Sequence, residues 1–204
     1  MTLLQEWISP QYLQLKKIEK FRSAFLGHTP FPYLELKGFF RKQKIMKVLP
    51  ALRKEMFIRK EADLFQFNQT QDLVGTKSKI LREFRSFLSS LELVTYLSNL
   101  TNTNLKARVI DMSGTLYEDT DFLLCHDDRL QGRKIAYFVY LSTLQRTDGG
   151  RLLLYDQLEK VAASIIPTFN TFAFFAVSAK SLHVVEEMVR PKQRLAISGW
   201  FHDQ

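Results

Sequence analysis

From residue 105 to residue 201 the chain breaks into eight short β-prone segments: 105–112, 122–127, 135–141, 151–155, 162–165, 171–177, 182–185 and 194–201. This succession restricts the fold more than any other feature. Strands this short cannot stand alone, and an array of them with turns between closes well as two facing sheets, a jelly roll. Asp148-Gly149-Gly150 is a strong turn signal within the array. It is not a phosphate loop, because no G-x-x-x-x-G-K pattern follows. Before residue 105 the periodicity is helical. Ser9-Pro10 reads as a cap and first helical residue, followed by Leu13, Ile18, Phe21 and Phe25 at helical spacing. Residues 27–32 break that helix and residues 33–36 read as a short strand. A second helix is expected over 40–57, striped by Ile45, Val48, Leu49 and Leu52, with Pro50 kinking or dividing it. Residues 64–68 are a strand candidate. Residues 77–99 supply one or two helices, with Ile80, Phe84, Phe87, Leu88 and Leu91 inward. The expected class is α+β, mostly β: a double-stranded β-helix (jelly roll) over 105–204, with the helices of a 1–104 lead-in packed on one sheet, all in a single domain of 1–204.

Composition narrows the setting. Hydrophobic residues make up 46% of the chain and phenylalanine alone supplies 17, enough for a sizeable core. The single Cys125 excludes an internal disulfide and fits a reducing compartment; it reads as a small buried apolar residue. The longest apolar run, 172–177, is too short to span a bilayer, and Glu6 lies where the apolar stretch of a leader would be. These features predict a cytoplasmic protein with no membrane contact, a nuclear one remaining open if the source is eukaryotic. The net charge of +8 is uneven: residues 1–60 carry 13 Lys/Arg against 4 Asp/Glu, residues 61–204 carry 16 against 17. The basic part suits an acidic partner such as ribosomal RNA, or is a set of solvated helix faces.

The chemistry lies in His126-Asp127-Asp128, in His183 55 positions later, and in Arg194 another 11 on. Along a strand, residues i and i+2 share a face, so His126 and Asp128 reach one metal while Asp127 points away. The same counting puts Phe122 and Leu124 on the metal face and Cys125 opposite. Residues 181–185 and 194–201, joined by a turn at 189–193, read as a hairpin with Arg194 on the strand beside His183. Arg194, Ala196, Ser198 and Trp200 then share a face. Two imidazoles and one carboxylate suit Fe(II) and leave the opposite positions open. A 2-oxo acid fills two of them and dioxygen a third. The Arg194 guanidinium offers a fork for the far carboxylate of that acid. Alone, each part is common: H-x-D recurs widely, and a histidine in an apolar strand is usually core. Together they are rare, since the chain has four histidines and two fall where the pattern needs them. His28 and His202 read as structural or surface residues. The order points to a 2-oxoglutarate-dependent oxygenase. Tyr140, alternating with Phe138 and Ala136, is a buried phenol for which a carboxylate is a suitable partner.

Residues 123–128, 132–141, 149–155 and 194–202 closely resemble the ribosomal prolyl 3-hydroxylases, in the wider prolyl hydroxylase group. The resemblance is specific from about Tyr117 onward and extends back to about Leu34; residues 6–13 are similar to the family's helical lead-in. It implies that His126, Asp128 and His183 hold iron and that Arg194 pairs with the distal carboxylate of 2-oxoglutarate. It implies that Tyr117 and Tyr140 line the cosubstrate pocket, that Leu152 is an apolar wall, and that Trp200 is an aromatic near the iron. The implied cosubstrates are 2-oxoglutarate and O2, with ascorbate a candidate reductant, and the implied target is a prolyl residue of a ribosomal protein. Residues 60–75 and 114–120 are the candidate frame of the substrate entrance. Eukaryotic members carry a second, catalytically silent domain, whereas this chain stops at Gln204, which leaves the protein substrate and the oligomeric arrangement open. A translation factor is the alternative substrate. A nucleic-acid demethylase is disfavoured, because that group has a further Arg where this chain has Trp200. A non-catalytic ribosome-associated module is the remaining alternative.

Overall fold

Side-chain alternation sorts the β-rich half into an outer and an inner face. Three long strands show it: β6 (Arg133–Tyr140), β9 (Thr171–Ala176) and β11 (Arg194–His202). Ile135, Tyr137, Val139, Phe172, Phe174, Leu195, Ile197 and Phe201 turn outward into a core shared with the helices. Ala136, Tyr140, Ala173, Phe175 and Ala196 turn inward and form a second cluster. The computed structural model that shows this describes residues 2–204.

Ten strands lie along one continuous antiparallel path that folds over on itself. Its first half runs β1 (Tyr33–Lys37), β9, β6, β11, β4 (Ser113–Tyr117). Its second half runs β5 (Phe122–His126), β10 (His183–Val185), β7 (Leu152–Tyr155), β8 (Val161–Ile165). β3 (Phe65–Gln69) joins the halves: Asn68 and Gln69 pair with β4, and Phe65 and Gln66 pair with β5. β2 (Ile58–Ala62) hangs from β3 alone. The result is the expected jelly roll, mostly β with a helical buttress.

The buttress comprises α1 (Leu3–Trp7), α2 (Leu15–Gly27), α3 (Lys42–Leu52), α4 (Lys79–Leu88) and α5 (Leu91–Thr101). Phe39, in the link from β1 to α3, stacks on Phe172 of the first sheet at 5.0 Å, and within the buttress Trp7 of α1 stacks on Phe87 of α4 at 5.3 Å. Among the described residues no helix is long and apolar enough to cross a membrane.

Several sequence expectations need correction. Residues 105–112 are not a strand. Arg108 takes a left-handed φ of 68° and its N–H donates to Ser89, while Lys106 N–H donates to His202, so the segment turns and β4 starts at Ser113. Ser9 and Pro10 stand at the cap and first position of a short 3-10 turn over residues 10–12 rather than of α2, which starts at Leu15, and the Ser9 hydroxyl donates to the Gly38 carbonyl at 2.7 Å instead of capping. α1, opened by a Thr2–Gln5 capping box, was missed, and β2 had no clear sequence signal because all five of its residues are exposed and show no alternation. Pro50 neither kinks nor divides a helix reaching residue 57; it sits in the last turn of α3, which ends at Leu52. Leu91 is 68% exposed rather than inward, because it is the first residue of α5, directly after the Ser90 cap.

The largest correction is topological. β10 and β11 do not form a hairpin. β10 lies between β5 and β7, and β11 between β4 and β6. Residues 189–193 therefore cross from one sheet to the other, and Arg194 faces His183 across the interior instead of beside it.

Candidate metal and cosubstrate site

His126 ends β5 and pairs with His183, which begins β10. Three residues below, Leu123 pairs with Val185, so β5 uses one more residue than β10 over this stretch: a β-bulge. The bulge resets the alternation. Leu123 and His126 border the interior cavity, whereas Leu124 is 44% exposed and Cys125 is exposed. The expectations that Leu124 lies on the metal face and that Cys125 is buried are both overturned by that extra residue. Asp128 lies just beyond the strand end and is buried.

His126, Asp128 and His183 each offer one ligand atom, all within 4.8 Å of one another. The ring orientations suit a metal. Nδ1 of His126 bonds the Leu124 carbonyl and Nδ1 of His183 the Ser181 carbonyl, both at 2.8 Å. A carbonyl only accepts, so each Nδ1 carries the proton and each Nε2 keeps a free lone pair. Both Nε2 atoms lie 3.5 Å from the Asp128 carboxylate. Burial pulls the His183 pKa down to about 4, against the pull of Asp128, so this ring is neutral as a ligand must be. Burial also disfavours charge on His126, but there the Asp128 contact prevails and the net shift is upward. Burial raises Asp128 as well, and the two histidines outweigh it, so the carboxyl is held ionised. The two histidines diverge because His183 is almost fully buried and His126 is not.

Arg194 is completely buried. Its Nε donates to the Gly150 carbonyl at 2.9 Å and its Nη2 to the Tyr140 hydroxyl at 3.4 Å, and its guanidinium carbon lies 5.0 Å from the Tyr117 ring. Among the described residues no carboxylate pairs with it. A buried cation without a counter-ion is expensive, so this end of the cavity is built for an anion. Gly149 and Gly150 shape this turn: both have positive φ, and a Cβ would collide with the Glu187 carbonyl from Gly149 and meet the Met188 sulfur at 2.5 Å from Gly150. Burial raises the phenol pKa of Tyr117 and of Tyr140, in each case against the pull of Arg194, so both remain protonated donors.

One cavity of about 270 Å³ joins the three ligands to Arg194. Tyr117 and Trp200 border it. Tyr140 does not; it stands behind Arg194 and acts through it. Leu152 is fully buried in the inner cluster beside Val185, and Val185 is the side chain that reaches the cavity. The Trp200 indole N–H is buried with no hydrogen-bond partner, and the Arg133 guanidinium covers its ring at 3.4 Å. Residues 60–75 and 114–120 contribute to the wall through Phe67, Gln69 and Thr115. Phe138 also borders the cavity, sharing a face with Tyr140 by the alternation read from the sequence, whereas Arg133 was not singled out from the sequence. His28 bonds the Tyr33 carbonyl and His202 faces Asp111, both away from the metal ligands. The donor set and the unpaired cation fit Fe(II) and a dicarboxylate 2-oxo acid.

Comparison with known proteins agrees with this geometry. Residues 112–202 match the 2OG-Fe(II) oxygenase superfamily. The chain is 37% identical over 191 residues to prolyl 3-hydroxylase OGFOD1 of Xenopus laevis, covering 90% of this chain and 37% of that protein. It is 33% identical over 202 residues to prolyl 3,4-dihydroxylase OGFOD1 of Ostreococcus tauri, covering 88% and 39%. The chain thus spans under half the length of the curated relatives it matches. In fold it is similar to a prolyl-4-hydroxylase from Pseudomonas putida, with a TM-score of 0.74, 16% identity, and coverage of 90% of this chain and 99% of that one.

Proposed function

We infer, from the match of residues 112–202 to the 2OG-Fe(II) oxygenase superfamily and from the geometry of the site, a 2-oxoglutarate- and Fe(II)-dependent dioxygenase that hydroxylates a prolyl residue of a protein. The observation that carries the reading is the pairing of a His126–Asp128–His183 triad with a buried, unpaired Arg194 in one cavity. A metal site alone would not need that cation. Iron with 2-oxoglutarate supplies dioxygen activation and oxidative decarboxylation to succinate and CO2, the chemistry that hydroxylating an unactivated C–H bond requires. The protein's residues hold and orient. His126, Asp128 and His183 would hold the metal. Arg194, backed by Tyr140, fixes the far carboxylate of the 2-oxo acid. Trp200 and the inner apolar cluster keep water from the reacting face. No side chain is needed as a general base.

Prolyl specificity is supported by the names of the relatives. Among prolyl targets a ribosomal protein is the reading preferred here, a translation factor is second, and cytoplasmic location accompanies both. The basic N-terminal part supports approach to ribosomal RNA. Arg41 donates to the Gln5 carbonyl and Lys44 is bonded to Glu6, so both are partly committed. Lys47, Lys54 and Lys77 instead border one open groove of about 490 Å³, where the neighbouring Glu55 is bonded to Thr76. These three lysines are the better phosphate contacts.

Purified ribosomes and translation factors, incubated with the protein, Fe(II), 2-oxoglutarate and O2, should show one prolyl peptide that gains an oxygen, with matching succinate release. Succinate release that no ribosomal or translation protein increases would reject the substrate class and leave the oxygenase standing.

A further inference from the structure

Thr115 has a hydroxyl that nothing in the fold uses. It lies on β4, where Gly114 and Leu116 face the helices and Thr115 and Tyr117 face the cavity. Thr115 is 6% exposed, and its Oγ1 is buried with no hydrogen-bond partner. Valine would serve the strand equally well, since both residues are β-branched, so a buried unsatisfied hydroxyl calls for a ligand.

Register fixes where that ligand would be. Tyr117 pairs with Arg194 and Thr115 with Ala196, one inward step along β11. Ser198 and Trp200 continue that face to the metal end, bordering the same cavity as Asp128. Thr115 therefore sits next to the buried guanidinium, on the side toward the metal. On its other flank it pairs with Gln69, which also borders the cavity. A hydroxyl donates one proton, and the group brought within reach by an unpaired guanidinium is a carboxylate.

We propose that Thr115 is a positioning residue for the cosubstrate, donating a hydrogen bond to the distal carboxylate that Arg194 holds. This rests on the oxygenase reading above. Arg194 supplies the charge, while Thr115 fixes the tilt of the carboxylate and so the direction in which the 2-oxo end reaches the metal. The contact needs a dicarboxylate: a 2-oxo acid without the distal carboxylate gains nothing from it.

The test compares wild type with Thr115→Val and Thr115→Ser. The Fe(II)-loaded protein is titrated with 2-oxoglutarate without oxygen, followed by visible absorption. Succinate, a dicarboxylate with no 2-oxo group, is titrated separately by calorimetry, and 2-oxobutyrate serves as the 2-oxo acid lacking the distal carboxylate. A hydrogen bond to a charged acceptor leads to an expected rise in Kd of about tenfold or more in Thr115→Val for 2-oxoglutarate and succinate. Thr115→Ser should bind both within about threefold of wild type, and 2-oxobutyrate should bind all three proteins alike. Unchanged 2-oxoglutarate affinity in Thr115→Val overturns the proposal. So does a Thr115→Ser protein as weak as Thr115→Val, or an equal loss for 2-oxobutyrate. A wild-type protein that binds no 2-oxoglutarate would instead overturn the oxygenase reading.

Discussion

Asp128 and Arg194 are both buried charges, and each makes sense only with a partner the chain does not provide. Asp128 sits between two Nε2 lone pairs at 3.5 Å, a poor hydrogen-bonding arrangement and a good metal-binding one. Asp128→Ala should abolish metal-dependent turnover while the circular dichroism spectrum stays native, because the residue lies beyond the end of β5 and carries no ladder bond. Wild-type turnover in that variant would refute the ligand assignment. For Arg194 the measure is cosubstrate affinity. Each charge-assisted hydrogen bond lost is worth about 1.5–3 kcal/mol, so Arg194→Ala should weaken 2-oxoglutarate binding roughly tenfold to a hundredfold or more. Arg194→Lys should recover part of this, since an ammonium restores the charge but not the fork, and cannot keep both the Gly150 and Tyr140 contacts. Titration calorimetry decides it; equal affinities in wild type and Arg194→Ala would remove Arg194 from the site. These positions were legible in the sequence because ligand chemistry belongs to residue type. The mouth was less so: Arg133 over Trp200 is a contact between strands that no spacing along the chain announces.

At the scale of elements, legibility followed the range of the forces. Seven of the eight expected strands appear within a residue or two of their expected ends, since alternation against a core is a local pattern. Residues 105–112 failed because β propensity there yields to tertiary bonds made by Lys106 and Arg108. The supposed hairpin of β10 and β11 failed because partner choice is non-local: a five-residue turn looks the same whether it returns to the neighbouring strand or crosses to the other sheet. The bulge in β5 was invisible for a related reason, being defined against β10. β2, paired only to β3, is held at its base by one ion pair. Arg59 Nη1 lies 2.7 Å from Asp121, which is 1% exposed and also accepts the Glu118 N–H at 2.9 Å. Arg59→Ala would leave a buried carboxylate short of a partner. It should cost about 1–3 kcal/mol in urea unfolding and speed amide exchange in β2 and β3 more than in β6. Uniform exchange changes, or none, would mean that Asp121 is satisfied without Arg59.

Over the whole molecule, the helices cover only the first sheet, and the basic charge travels with them rather than with the catalytic half. If Lys47, Lys54 and Lys77 guide a phosphate-rich assembly, neutralising them should slow hydroxylation on the ribosome and spare a short peptide, with salt acting likewise because exposed charges are screened within about 8–10 Å at physiological ionic strength. Equal salt sensitivity for both substrates would reduce the patch to a solvated face. The second sheet has no helical cover: Leu124 and Val161 are exposed on it. Between the sheets lie His183, Asp128 and Arg194, all desolvated and none offset by a charge of its own at the Arg194 end. Metal and 2-oxo acid therefore supply what this half of the fold lacks, and they bind only the folded chain, since the unfolded one brings neither triad nor fork together. At a hundredfold excess over Kd such a ligand stabilises by about 2.7 kcal/mol. In a domain of this size that corresponds to a rise in Tm of about 5–10 °C. Mn(II) with 2-oxoglutarate should produce this rise, chelation should remove it, and Arg194→Ala should keep only the share due to the metal. A wild-type Tm that the pair of ligands does not move would show that the two sheets close without them, and that the unpaired guanidinium has a purpose other than holding the 2-oxo acid.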